Sequence, residues 1–222
     1  MKVMIHACPK RMWYVTGFLV PSLIEQGIPA GDVQIWNDTE RLGNQLSWFD
    51  SCASLAGVPG GTWHLQDDVL IARDFAQRAA AMDDGIVAGW CCEQFGPNVR
   101  LSGVRPGVFL FNSFPCIRIP NDYAADHARW YWASARKRRE LHDWVMTGKK
   151  DDSFFHLWVE EEHGDEAVLN AVPCLVEHVD WLIGGSVLNA NREKIARAYY
   201  WDDEELVREL AAALGKEYPL PR

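Results

Sequence analysis

Across 222 residues the chain carries 22 basic and 31 acidic side chains, a formal charge of −9, with 48% hydrophobic residues. That length suits one medium-sized α/β domain, and the hydrophobic share is ordinary for a globular chain. The negative balance disfavours nucleic-acid binding by the surface as a whole, and no apolar run approaches the ~20 residues that span a bilayer.

The amino-terminal stretch MKVMIHACPKR turns basic too early for a secretion signal. A soluble, cytoplasmic protein is expected. Six cysteines stand at 8, 52, 91, 92, 116 and 174, with no CxxC and no zinc-finger spacing. Reduced, buried thiols are the expectation without a secretion signal.

In chain order, KVMIHAC (2–8) reads as a first buried strand running into the basic turn Pro9-Lys10-Arg11. Residues 13–27 have helical spacing, and Gly27 is a plausible stop. DVQIWND (32–38) reads as a second strand ending in Asn37 and Asp38. Leu42, Leu46, Phe49 and Leu55 then recur at helical spacing up to Gly57. TWHLQDD (62–68) reads as a third strand, and DFAQRAAAM (74–82) as a helix with Asp74 at its cap. GIVAGWCC (85–92) and GVFLFNS (107–113) read as strands, and residues 122–146 as largely helical. DDSFFHLWVEEE (151–162) predicts a short helix with acids at its positive end. VPCLVEHV (172–179) reads as a late strand, and DDEELVRELAAALG (202–215) as an amphipathic helix before a Pro-rich tail.

Strands and helices alternate through the first hundred residues. That pattern predicts right-handed βαβ units and a mostly parallel central sheet with helices on both faces. No linker or repeat divides the chain, so 1–222 is expected to be one domain.

Ligands of such sheets bind beyond the carboxyl ends of the strands. Three ends carry polar groups: Pro9-Lys10-Arg11, Asn37-Asp38 and Asp67-Asp68. Neither GxxxxGK[ST] nor GxGxxG is present, which removes the P-loop and the dinucleotide fingerprint. Adjacent acids repel, so Asp67 and Asp68 need either water or a cation. Read alone, the pair can equally be solvated surface. His178 alone can be structural, and Asp151 and Asp152 can serve as a helix cap.

Taken together, three stretches resemble the nucleotide-sugar glycosyltransferases of the GT-A fold. WHLQDDVLIARDF (63–75) resembles the element in which a strand ends in acids that hold a divalent metal against a nucleotide diphosphate. Gln66 stands where many members have a first acid. PCLVEHVDWLIGGSV (173–187) resembles the late segment carrying a histidine of the metal shell, and KKDDSFFHLWVEE (149–161) the acidic helix start that supplies a base in inverting members. The resemblance implies a single GT-A-like, Rossmann-related domain. Its nucleotide-binding half would be 1–100, its acceptor-binding half 101–190, with a helix and tail over 191–222.

It implies Asp68 and His178 as ligands of Mn²⁺ or Mg²⁺, a donor set usual for first-row ions. It implies Asp67 as a further ligand or a ribose-side contact, and Pro9, Arg11, Asp38 and Asn44 as contacts of the nucleotide sugar. Asp152, with Asp151 in reserve, would take the proton of an acceptor hydroxyl.

Arg129 to Lys150 holds seven bases (Arg129, Arg136, Lys137, Arg138, Arg139, Lys149, Lys150) against Glu140 and Asp143. It is either a solvated helix face or, with Trp130, Trp132, Arg136 and Arg139, an acceptor surface. A glycan or other small hydroxyl acceptor is expected, with DNA bearing hydroxymethylated bases as the alternative. A nucleotidyltransferase and an inactive nucleotide-sugar binding module are the rival functions; Gln66 favours the latter.

Overall fold

The computed structural model describes residues 1–37, 44–82, 84–90, 103–106, 115–133, 151–164, 167–184 and 201–218. The strands expected from residues 2, 32 and 85 are present as β1 (Lys2–Ala7), β2 (Val33–Asn37) and β5 (Ile86–Ala88). β3 (Gly61–Gln66) stops one residue before Asp67, and the two acids form a tight turn into β4 (Val69–Ile71). β6 (Gly103–Pro106), β7 (Cys116–Pro120), β8 (Val168–Val172) and β9 (Val176–His178) follow. The late strand expected over 172–179 is thus two strands, separated at Pro173, which cannot donate to a ladder. The strand expected over 107–113 and the Cys91–Cys92 pair lie outside the described residues.

The helices are α1 (Met12–Tyr14), α2 (Val20–Glu25), α3 (Asn44–Ala53), α4 (Phe75–Ala81), α5 (Asn121–Ala133), α6 (Asp151–Glu162), α7 (Asp180–Ile183) and α8 (Glu204–Ala213). A π-helical segment, Val15–Leu19, joins α1 to α2. Pro21 lacks the amide that would bond Gly17, and the ladder widens just ahead of it. Gly27, at φ 88°, ends the stretch where the sequence places the stop. Asp74 precedes α4 but makes no side-chain cap bond; its carboxylate lies 3.4 Å from Arg78 instead.

Seven strands form one mixed sheet in the order β2-β1-β3-β7-β5-β8-β6. β1 pairs in parallel with β2 and β3, and β5 with β8, while β7 and β6 run antiparallel to their neighbours. The expectation of a mostly parallel sheet holds for strand direction, with antiparallel β7 in the centre. β4 and β9 form a separate antiparallel ribbon.

Alternation along the strands sends side chains to opposite faces. Val3 and Ile5 of β1, Trp63 and Leu65 of β3, and Val87 of β5 pack under Tyr14, Leu19, Leu23, Phe75 and Leu210. On the other face, Met4, Ile86, Ala88, Ile117 and Ile119 pack under Trp48 and Phe49 of α3, Ala124 and Ala128 of α5, and Phe155 and Trp158 of α6. Helices therefore cover both faces, as the alternation predicts.

The second face also holds histidines. His6 Nε2 and His64 Nδ1 share a hydrogen bond of 2.9 Å, which two neutral rings of opposite tautomer can form. His127 lies fully buried among Phe49, Phe155 and Trp158, and neither ring nitrogen has a hydrogen-bond partner among the described residues. Burial lowers the His6 pKa to about 4 and that of His127 to about 3, and holds His64 well below its usual value.

These folded-state values lie below the unfolded value near 6.5. Their contribution to stability is therefore complete above that pH and is lost as pH falls toward the folded values. Each histidine imposes up to about a tenfold loss per pH unit in the folding equilibrium. Acid titration of wild type against His127→Phe, followed by circular dichroism, should show the variant unfolding at a lower pH.

Candidate functional site

Parallel pairing sets the geometry. His6 of β1 stands beside Gln66 of β3, so the residues that follow each strand emerge at one level. After β1, Pro9 opens a single 3₁₀ turn, Pro9–Arg11, where its fixed φ fits and its missing amide is not needed. The Arg11 amide closes the turn on Cys8 O at 3.1 Å. The turn aims the Arg11 side chain back at the acids after β3.

Arg11 Nη1 donates to Asp67 Oδ1 at 2.8 Å, and the same nitrogen donates to Asp68 Oδ2. Asp67 Oδ2 accepts from the Cys8 amide at 2.8 Å. Arg11 is 5% exposed and both aspartates 7%, so the pair is not solvated surface. The guanidinium, which touches both acids, offsets their repulsion in this structure. Both oxygens of Asp67 are engaged, whereas Asp68 Oδ1 is buried without a hydrogen-bond partner among the described residues.

The ribbon brings in the histidine. β4 and β9 pair so that Val69 faces His178, and the Val179 amide extends the pairing to Asp68 O at 2.8 Å. Tyr14 Oη donates to Val69 O at 2.9 Å and holds the turn from beneath. His178 Nε2 then lies 3.3 Å from Asp68 Oδ2, and its Nδ1 lies 3.4 Å from Asp180 Oδ1. The backbone amide of His178 donates to Glu177 Oε1 at 2.9 Å. The Trp90 ring stands 6.2 Å from the imidazole, and its buried Nε1 has no hydrogen-bond partner among the described residues.

Burial would push His178 toward the neutral form. The Asp68 carboxylate opposite it prevails, helped by Asp180 and Glu177, and raises the pKa to about 9. Burial likewise opposes charge on Asp68, but His178 and Arg11 together hold it well below the usual carboxylate range. Asp67 moves the other way, raised by burial and by Asp68 against the pull of Arg11.

These residues fit a divalent ion in a limited way. Two ligands each about 2.1 Å from a first-row ion stand about 3 Å apart when their bonds meet near a right angle. The 3.3 Å between His178 Nε2 and Asp68 Oδ2 matches, and the unpartnered Asp68 Oδ1 is a further donor atom. No set of three or more His, Cys, Asp or Glu side chains among the described residues is arranged to hold an ion. The ion's remaining ligands would come from outside the described residues, and its entry would displace the proton of His178.

The remaining expected residues are placed unevenly. Pro9 is exposed in the turn, and Asn44 opens α3. Asp151 and Asp152 are the first two residues of α6, as the acidic helix start predicts; their side chains lie outside the described residues. Asp38, Arg136 and Arg139 also lie outside them. Trp130 is half-buried and donates from Nε1 to Glu161 Oε2 at 3.1 Å, which ties α5 to α6. Trp132 is 43% exposed beside Tyr131. Sequence reasoning overlooked Trp90, Glu177 and Asp180. The spacing His178-Val179-Asp180 is a signal that could have found the last, since an acid two residues on can reach the far nitrogen of the ring.

Gly89 splices the ribbon to the sheet. Its amide donates to Cys116 O at 2.9 Å, and its carbonyl accepts from the Leu175 amide at 2.7 Å. A Cβ at this position would lie 2.4 Å from Cys116 Sγ and 3.3 Å from Leu175. Gly89→Ala should cost about 1–3 kcal/mol by overpacking. Urea unfolding should show that loss, and adding Cys116→Ala, which removes the sulfur, should recover part of it.

No family model matches the chain, and no curated protein matches it at a significant level. Among solved structures, the crystal structure of A197 from STIV aligns at 11% identity with a TM-score of 0.46, over 80% of this chain and 85% of that one.

Proposed function

We propose that the chain is a metal-dependent glycosyltransferase of the GT-A kind, moving a sugar from a nucleotide diphosphate sugar to a hydroxyl acceptor, with a glycan or other small molecule as acceptor. One observation carries the reading. Asp68 and His178, far apart in sequence and each picked out by its own motif, meet at 3.3 Å beside the carboxyl ends of the strands. An open α/β sheet receives its ligands there.

In this reading Asp68 and His178 hold Mn²⁺ or Mg²⁺, whose contribution is Lewis-acid stabilisation of the charge on the departing diphosphate. Asp67 positions Arg11 and the turn after β1. Pro9, Asp38 and Asn44 belong to the nucleoside side. Asp152 accepts the proton as the acceptor oxygen bonds to the anomeric carbon and the bond from that carbon to the phosphate oxygen breaks. The second reading, a binding module without transfer, is favoured by Gln66 and by the hold of Arg11 on both acids.

Thermal shift and calorimetry with UDP, GDP and dTDP, each with and without Mn²⁺, test the proposal. One nucleoside diphosphate should stabilise the protein, and only with the ion. His178→Ala and Asp68→Asn should each weaken that binding at least about tenfold. Unchanged binding in both variants removes the metal assignment.

The base has its own test. Asp152→Asn should abolish transfer in a product assay while leaving donor binding nearly intact, because the base acts on the acceptor proton and not on the phosphates. Donor binding without transfer by the wild-type chain to any hydroxyl acceptor would favour the binding module.

A further inference from the structure

We propose that Arg11 sets how the site takes a divalent ion, keeping its affinity for the ion alone low and making retention depend on an anionic diphosphate. This rests on the reading of Asp68 and His178 as metal ligands.

Oxygen occupancy decides which acid an entering ion meets. Asp67 gives one oxygen to Arg11 and the other to the Cys8 amide, so both its oxygens are already engaged by its own chain. Asp68 gives Oδ2 to Arg11 and faces His178 with the same atom, while its buried Oδ1 has no partner among the described residues. An entering cation therefore uses Asp68 and must share it with the guanidinium.

Charge gives the consequence. One guanidinium stands against two carboxylates, so the charge that Asp67 and Asp68 offer a divalent ion falls from −2 to −1. Arg11 cannot lose its proton to relieve this. The site is buried, so the unfavourable cation–cation term is weakly screened. Adding a diphosphate reverses the balance, because its negative charges attract the ion and Arg11 together. The arginine that weakens binding of the bare ion is thus the group that couples ion and anion, and coupling of this kind is reciprocal.

The experiment is Mn²⁺ binding to the full chain, read as free Mn²⁺ by electron paramagnetic resonance, with and without inorganic pyrophosphate and with protein-free pyrophosphate as the control. Wild type should bind Mn²⁺ weakly alone and at least about tenfold more tightly with pyrophosphate. Arg11→Met should bind Mn²⁺ alone at least about tenfold more tightly than wild type and gain less from pyrophosphate. Arg11→Lys, which keeps the charge, should resemble wild type.

Asp67→Asn removes a negative charge and leaves Arg11 in place, so it should bind the bare ion more weakly than wild type. It also carries the test if Arg11→Met fails to fold. Equal affinity of wild type and Arg11→Met for the bare ion, or an Asp67→Asn variant that matches or exceeds wild type, overturns the role of Arg11 and leaves the metal assignment standing. If no variant takes up Mn²⁺ even with pyrophosphate, the metal assignment itself fails, and the proposal with it.

Discussion

Two carboxylates with 7% exposure each cannot share a turn unless positive charge comes to them; Arg11 touches both, and His178 faces Asp68. Burying one ion costs several kcal/mol, which is recovered only where geometry and further hydrogen bonds are good. Here the geometry draws on three pieces of chain at once: the turn after β1, the turn after β3, and the ribbon strand that carries His178. Removing the guanidinium would leave two buried like charges with His178 as their remaining counter-ion, and breaking a buried pair in this way costs about 3–5 kcal/mol. The interaction is therefore a constraint on the fold before it is a feature of any reaction. The turn after β1 cannot move without uncovering the acids, and the acids cannot move without releasing the ribbon.

The ribbon explains how His178 reaches the strand ends of the sheet. β4 continues from the acidic turn away from the main sheet and finds β9 as its partner. Gly89 and Leu175 join the two layers by backbone bonds, and the Ala72 amide adds another to Leu175 O at 2.9 Å. Cys116 and Leu175 approach Gly89 too closely for a side chain there. His178 thus reaches Asp68 through a chain of backbone registers, each fixed by pairing, and not through the flexible reach of a long side chain.

Much of this was legible in the sequence, for identifiable reasons. β1, β2 and β3 are apolar runs closed by polar residues, β5 is an apolar run between glycines, and α8 has one clear apolar stripe, so patterning alone finds them. The acids and His178 were legible because their motifs are local. β7 was not, because CIRIP is short, places Arg118 in mid-strand and ends in Pro120. Arg118 is nonetheless 5% exposed, since its guanidinium donates to Gly85 O at 2.6 Å. No composition rule expects a buried arginine in a central strand. The role of Arg11 was equally hidden. A basic residue after a strand reads as a phosphate contact or as surface, and only the three-dimensional turn shows its charge spent on Asp67 and Asp68.

The direction of β7 has a consequence for which parts of the chain can meet a ligand. Parallel neighbours deliver their carboxyl ends to one edge, and that is where Cys8, Arg11, Asp67 and Asp68 gather. An antiparallel strand delivers its beginning there instead. The Gln66 amide donates to Pro115 O at 2.8 Å, so the start of β7 lies directly beside the acidic turn, and the Gly89 amide bonds Cys116 O on its other side. β5 runs with β1 and β3, and its end places Trp90 against His178. The site is therefore walled by strand ends from β1, β3 and β5 and by one strand beginning, from β7. A sheet with every strand parallel would offer carboxyl ends alone. Inserting one reversed strand lets Pro115 and Cys116, at its start, lie at the same edge as the residues that follow β1, β3 and β5.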